Sequence, residues 1–176
     1  MDNLERLAQA IKQKNLDDTE IARIVGRPAE RSHAGEYIAA HIFGITLEQS
    51  ASQKGIDGRF VSGSLTTNSV NIKWYGKMEG LLDVSPDSSP DFYLVMTGPK
   101  AAAVSSRGTV RPWVISYVYL FDAVRLIGEL KRRGVKIGIA TSVHSYLWEV
   151  AEIYPVQRSK QLLLSDDQKN LLALFS

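Results

Sequence analysis

The run Phe92-Tyr93-Leu94-Val95-Met96 is apolar without interruption, has the length of one strand, and lies between Ser/Pro/Asp-rich sequence and Gly98-Pro99. A strand that offers apolar side chains in both directions has to be covered on both faces. This requirement limits the fold to a layered sheet with helices above and below it. Upstream, Ser69 to Trp74 alternates, with Val70, Ile72 and Trp74 facing one way and Asn71 and Lys73 the other. Downstream, Trp113 to about Leu120 and Val135 to Ala140 read as further strands. A helix from Phe121 to Arg133 lies between them and is stopped by Gly134.

The first 44 residues read as helical. Residues 2–14 carry Leu4, Leu7, Ala8 and Ile11 on one stripe. Asn15-Leu16-Asp17-Asp18 predicts a break, with either aspartate capping a second short helix that runs to about Val25. A third helix is expected from about Ser32 to Phe43, with Gly44 as its C-cap. Gly55 to Val61 reads as a strand entering a Gly63-Ser64 turn. Loops are expected at 85–90 and 98–112, and a capped helix from Ser165 or Asp166 to Phe175. This order predicts one α/β (α+β) domain with a mixed sheet and helices on both faces, spanning residues 32–176. An N-terminal helical extension over 1–31 precedes it.

Composition narrows the functional classes. With 44% hydrophobic and 23% charged residues, the 176-residue chain has the balance of a globular protein. A chain of this length buries roughly 70% of its unfolded surface and folds without a metal or disulfide staple. The absence of cysteine excludes disulfides, thiolate nucleophiles, zinc ribbons and Fe–S clusters, and it fits a reducing, cytoplasmic setting. The charged, amphipathic start has no signal-peptide character, and no apolar run approaches the ~20 residues of a membrane span. No glycine-rich phosphate loop is present, so no nucleotide cofactor is expected. A net charge of +2 excludes a uniformly basic sheath but leaves room for a local cationic groove.

One constellation points to chemistry. Asp57 sits among glycines, Lys73 lies on the alternating strand, and Glu36 lies on the helix before them. If the two extended segments pair across the 62–68 turn, Asp57 and Lys73 share a sheet face. A carboxylate can hold Mg²⁺, which lowers the pKa of a bound water, while an ammonium orients that water or a phosphate. The ordinary alternative is a cross-strand ion pair.

Gly55-Ile56-Asp57-Gly58-Arg59-Phe60, followed by Val70-Asn71-Ile72-Lys73-Trp74, resembles the core hairpin of the PD-(D/E)XK nuclease superfamily. Glu36 in His33-Ala34-Gly35-Glu36-Tyr37-Ile38-Ala39 matches the glutamate that recurs on the helix before it. The resemblance covers about 32–120 and implies a restriction-endonuclease-like core and an endonuclease using Mg²⁺ or Mn²⁺ to hydrolyse DNA in restriction or repair. It also implies roles for individual residues. Asp57, Asn71, the carbonyl of Ile72 and Glu36 would be metal ligands, with Asp57, Lys73, Glu36 and Asn71 forming the catalytic set. Separately from the resemblance, Lys54, Arg59, Lys73 and Lys77 flank this site in the sequence and are expected to contact nucleic acid, with Arg31 as a further contact. Many proteins of this superfamily dimerise to cut both strands, so a homodimer is compatible with the resemblance. Where the family carries Asp or Glu two residues before the lysine, this chain has Asn71, whose amide oxygen can ligate a cation but adds no charge. Glu36 or Glu79 would then supply the missing carboxylate. The alternative is a catalytically disarmed module of the same fold that binds nucleic acid or a protein partner.

Thr19 to Pro28 also resembles the first half of a helix-turn-helix, with Arg27, Arg31 and His33 on the recognition side. The bland reading is an amphipathic helix packed on the sheet. The basic cluster Arg125, Lys131, Arg132, Arg133 and Lys136 is explained by a solvated helix end. Trp74, Tyr75, Trp113, Tyr117, Tyr119 and Trp148 read as packing residues.

Overall fold

The computed structural model describes residues 2–49, 55–86, 90–103 and 110–176. Helix α1 (Asn3–Val25) and helix α2 (Arg31–Phe43) lead into β1 (Ile45–Leu47), β2 (Gly58–Phe60), β3 (Ser69–Tyr75), β4 (Leu81–Leu82) and β5 (Phe92–Thr97). Then come β6 (Tyr117–Asp122), α3 (Ala123–Arg132), β7 (Thr141–Ser142), α4 (Ser145–Ala151), β8 (Glu152–Tyr154) and α5 (Asp166–Ala173). Six strands form one sheet in the order β1-β2-β3-β5-β6-β8, and β4 pairs with β7 apart from it. β3 and β5 run parallel; the other neighbours are antiparallel. This is the expected mixed-sheet α/β class. No helix among the described residues is long and apolar enough to cross a membrane.

Period-two alternation sorts the core into two layers. Val70, Ile72, Trp74, Leu94, Met96, Val118 and Leu120 face α2 and α5, in a cluster with Ile38, Ile42 and Leu172. Tyr93, Val95, Tyr119 and Phe121 face α3 and α4, in a second cluster with Leu126, Leu130, Leu147 and Trp148. All six residues of β5 are buried, as its unbroken apolar run requires. The parallel β3–β5 register is pinned by Asp91, whose carboxylate accepts from the Ser69 amide and hydroxyl at 2.7 and 2.8 Å.

Several segments differ from the sequence expectation. Helix α1 does not break at Asn15-Leu16-Asp17-Asp18. Asp17 accepts from Gln13 at 2.9 Å and Asp18 from Lys14, so both carboxylates serve i,i+4 bonds within the helix and cap nothing. Residues 135–140 form no strand. Gly138 exchanges hydrogen bonds with the Thr141 hydroxyl and Ala140 has φ 53°, which is turn geometry. The strand expected from Trp113 starts only at Tyr117, because Trp74 Nε1 takes the Val114 carbonyl and the Ile115 amide bonds Phe175. The 55–61 strand shrinks to Gly58–Phe60, followed by a 3-10 turn at Gly63–Leu65. β1, β4, β7, α4 and β8 had no forecast. Parts of the loops expected at 85–90 and 98–112, Arg107 included, lie outside the described residues.

Helix α2 buries Ala34, Gly35, Ile38, Ala39, Ile42 and Phe43 on the sheet. Arg27 pairs with Glu36, Arg31 donates to the Arg111 carbonyl, and His33 Nδ1 meets the Pro28 carbonyl at 2.9 Å. The side chains a helix-turn-helix would aim at DNA are thus engaged within the protein, while the end of α1 lies against α2 instead of packing on the sheet as expected, and no described residue of α1 is buried.

Candidate functional site

Asp57 stands one residue before β2, at the point where the β2–β3 ladder ends. Gly58 makes that position possible. A Cβ there would lie 2.6 Å from the Thr46 carbonyl oxygen and 2.7 Å from Ile45 Cγ2, so only glycine lets β1 lie this close. The Asp57 amide still donates to the Val70 carbonyl at 2.9 Å, and its own carbonyl accepts from the Glu48 amide at 2.9 Å. The next rung is made by a side chain: the Ile72 amide donates to Asp57 Oδ2 at 2.6 Å. In an antiparallel pair a residue's N–H and C=O point to the same edge, so the Ile72 carbonyl is aimed at this edge as well.

Asn71 fills the space beside it. Its Nδ2 donates to the Gly55 carbonyl at 3.1 Å, while Oδ1 is buried with no hydrogen-bond donor among the described residues. A buried acceptor left unpaired costs about 1–3 kcal/mol. The Asp57 carboxyl titrates above the ordinary aspartate range, chiefly because burial disfavours its charge. The Ile72 amide works against that rise. Glu36 adds to it, and Lys73 and Arg27 oppose it. Asp57, Glu36, Lys73 and Arg27 therefore share one electrostatic neighbourhood at the β3 edge.

The expected residues distribute as follows. Asp57, Asn71 and Ile72 come together directly, while Glu36 and Lys73 stand within electrostatic reach. Lys73 is half-buried on β3 and makes no ion pair among the described residues. Glu36 is closely held by Arg27. The sequence reading missed this contact, because Arg27 lies beyond the α1 C-cap with nothing in its spacing to couple it to Glu36. Glu79 is not at the site; it pairs with Arg111 at 2.7 Å. Arg59 has Glu48 at 3.7 Å and donates to the Thr67 carbonyl at 3.1 Å, and Lys77 lies past the far end of β3, beside Tyr75 and Asp83. Arg31 is partly buried beside Arg111, with its guanidinium 5.9 Å from the Trp113 ring centroid, and burial lowers its pKa. Lys54 lies outside the described residues.

The donor set fits a divalent cation of modest affinity. The Asp57 carboxylate, the orphaned Asn71 Oδ1 and the Ile72 carbonyl offer hard oxygens with a single formal charge, while Glu36 is neutralised by Arg27. Among the described residues no three His, Asp or Glu side chains converge. The sequence matches no family model and no curated protein.

Proposed function

We propose that the protein is a metal-dependent nuclease of the PD-(D/E)XK type that cleaves DNA, with Asp57 at the centre of its site. The observation that carries this reading is the pairing of a half-buried carboxylate that favours its proton with a buried amide oxygen that has no donor among the described residues. Both would be relieved by a cation. Asp57, Asn71 Oδ1 and the Ile72 carbonyl would hold Mg²⁺ or Mn²⁺, with Glu36 joining if it exchanges Arg27 for the ion. A bound cation supplies an acidified water and neutralises phosphate charge. Lys73, which makes no ion pair among the described residues, orients that water or holds a phosphate oxygen. A cytoplasmic location fits a nuclease acting in restriction or repair.

Nicking of supercoiled plasmid in Mn²⁺ tests the proposal. Asp57→Ala and Lys73→Ala should each lose activity on the order of 10²–10³-fold, the scale of removing one transition-state contact. Equal rates in the wild type and both variants would dispose of it.

A second reading rests on Asn71 and on the Asp57–Ile72 rung. With an amide in place of a carboxylate and the acid serving the backbone, the same fold works as a non-catalytic module that binds nucleic acid or protein. Thermal denaturation separates the two readings. A metal-using site gains melting temperature in millimolar Mn²⁺ and loses that gain in Asp57→Ala, whereas a disarmed module shows no gain in either.

A further inference from the structure

The first half of α1 is covered by none of the described residues. Leu4, Leu7 and Ile11 are 73%, 54% and 49% exposed, yet their helical spacing places them on the stripe that further along brings Val25 against the core. The segment is well built locally. Asp2 and Glu5 close a reciprocal capping box, and the Gln13–Asp17 and Lys14–Asp18 bonds brace its middle. An exposed helix of this length is only marginally stable in water by itself. At ~1.5 Å per residue, the 23 residues form a rod of about 34 Å, so the first turns stand well beyond the last ones.

Beside those last turns runs an open, almost wholly apolar groove of about 590 Å³, lined by Ile21, Ile24, Tyr37, Trp113, Leu171 and Leu174. Ile24, Leu171 and Leu174 are 49%, 42% and 74% exposed. The chain therefore carries an uncovered apolar stripe and an unfilled apolar groove, held apart by the length of one straight helix. The stripe cannot fold back into its own groove.

We infer that the chain forms a two-fold dimer in which the first half of each α1 lies antiparallel in the other copy's groove. The sequence is self-complementary for that arrangement. Setting Leu7 beside Val25 of the second copy brings Ile11 beside Ile21, and the next pair inward is Lys14 beside Asp18. The two-fold repeats every contact, so the interface has apolar ends and opposite charges at its centre. A parallel pairing would instead oppose Lys14 to Lys14 and Asp18 to Asp18, like charges that disfavour it. The dimer is independent of the nuclease reading and would stand if that reading failed.

The absence of cysteine makes disulfide trapping in the full chain a clean test. Within one chain, Leu7→Cys and Val25→Cys, the pair the proposed register sets side by side, would lie ~27 Å apart along the helix, far beyond the ~7 Å limit between bridged Cα atoms. The doubly substituted chain should oxidise to a covalent dimer, while each single variant should not. In sedimentation velocity, Leu7→Asp with Ile11→Asp should weaken association on the order of a hundredfold while keeping the wild-type circular dichroism. Cross-linking by Leu7→Cys alone would mean a parallel pairing and overturn the proposal. So would a dimer indifferent to the double aspartate variant. A wild-type chain that stays monomeric at about 100 µM, where even weak specific pairs assemble, would overturn it too, and uptake of an apolar dye by that monomer would mark the groove as a ligand site.

Discussion

Asp57 and Glu129 are both acids beside cations, and the fold treats them in opposite ways. Glu129, near the end of α3, accepts from Arg132 at 2.6 and 2.9 Å, from Arg133 at 2.8 Å and from the Tyr146 hydroxyl at 3.0 Å. Those donors hold its carboxyl far below the usual glutamate range. Among the described residues Asp57 has one donor, the Ile72 amide, and burial drives its pKa the other way. The basic residues around Glu129 also sit at a helix C-terminus, where cations are favoured. The comparison separates a charge that finishes a structure from one that leaves it unfinished. A fully paired carboxylate has nothing left to offer a ligand. A half-buried one with a single donor among the described residues, near an amide oxygen with none there, keeps its affinity in reserve.

The largest way to sharpen that contrast is Asn71→Asp. It introduces the acid that the PD-(D/E)XK pattern, which this stretch resembles, carries two residues before the lysine, and places a buried carboxylate beside the half-buried Asp57. Without metal it should cost about 1–3 kcal/mol, because the new charge is buried without a donor and repels its neighbour. Urea denaturation measures that loss. In millimolar Mn²⁺ the order should reverse, with the variant gaining more stability from the ion than the wild type does. A variant as stable as wild type without metal would mean that position 71 is better hydrated than its burial implies.

Asp57→Asn is the next test and turns on a sign. The folded protein binds a proton at Asp57 more tightly than the unfolded chain does. Stability therefore falls as pH rises from the ordinary aspartate pKa through the raised folded value, then levels off. An asparagine keeps an oxygen for the Ile72 amide and never ionises. Melting temperatures measured across the mildly acidic range should show this variant lacking the decline and exceeding wild type near neutrality. If both profiles fall in parallel, Asp57 is not the titrating group. The same substitution should abolish any rise in melting temperature brought by Mn²⁺, linking the unstable acid to the ligand that would satisfy it.

How far this site could be read from the sequence follows from what makes it. β3 and β5 were legible because burial leaves its signature in their own residues: alternation at 70–74 and an unbroken apolar run at 92–96. Asp57, Asn71 and Lys73 followed, because two extended segments joined by a tight turn have few ways to pair. The helix stops at Gly26, Gly44 and Gly134 were equally local, and all three adopt positive φ. Competition between bonding options was not legible. Asp17 and Asp18 could have capped a new helix, but Gln13 and Lys14 one turn back offered partners that kept α1 whole. Val135 and Ile137 have strand spacing, yet the Gly138–Thr141 exchange turns the chain away. At the site, the Arg27–Glu36 pair and the use of a carboxylate as a ladder rung are tertiary choices that no spacing records.

Glu129→Gln tests the finished side of the comparison and should give the smallest effect. Its folded pKa is depressed, so its contribution is present above the ordinary glutamate range and is lost as pH falls through the folded value. The Glu129 side chain is only 17% exposed, but its partners Arg132 and Arg133 are 66% and 35% exposed, so water and salt reach the ion pairs from the arginine side and weaken them. A glutamine still accepts from Arg132 and Tyr146, so the variant should melt close to wild type at neutral pH. The small difference should shrink further in high salt and vanish in acid. Divalent cations should leave wild type and variant equally unchanged at this position, since two guanidinium groups already occupy its oxygens. A large loss in Glu129→Gln, or one insensitive to salt, would show that the α3 terminus and Tyr146 form a buried network. Glu129 would then belong with Asp57 as a charge held out of water, and the two acids would no longer stand as opposites.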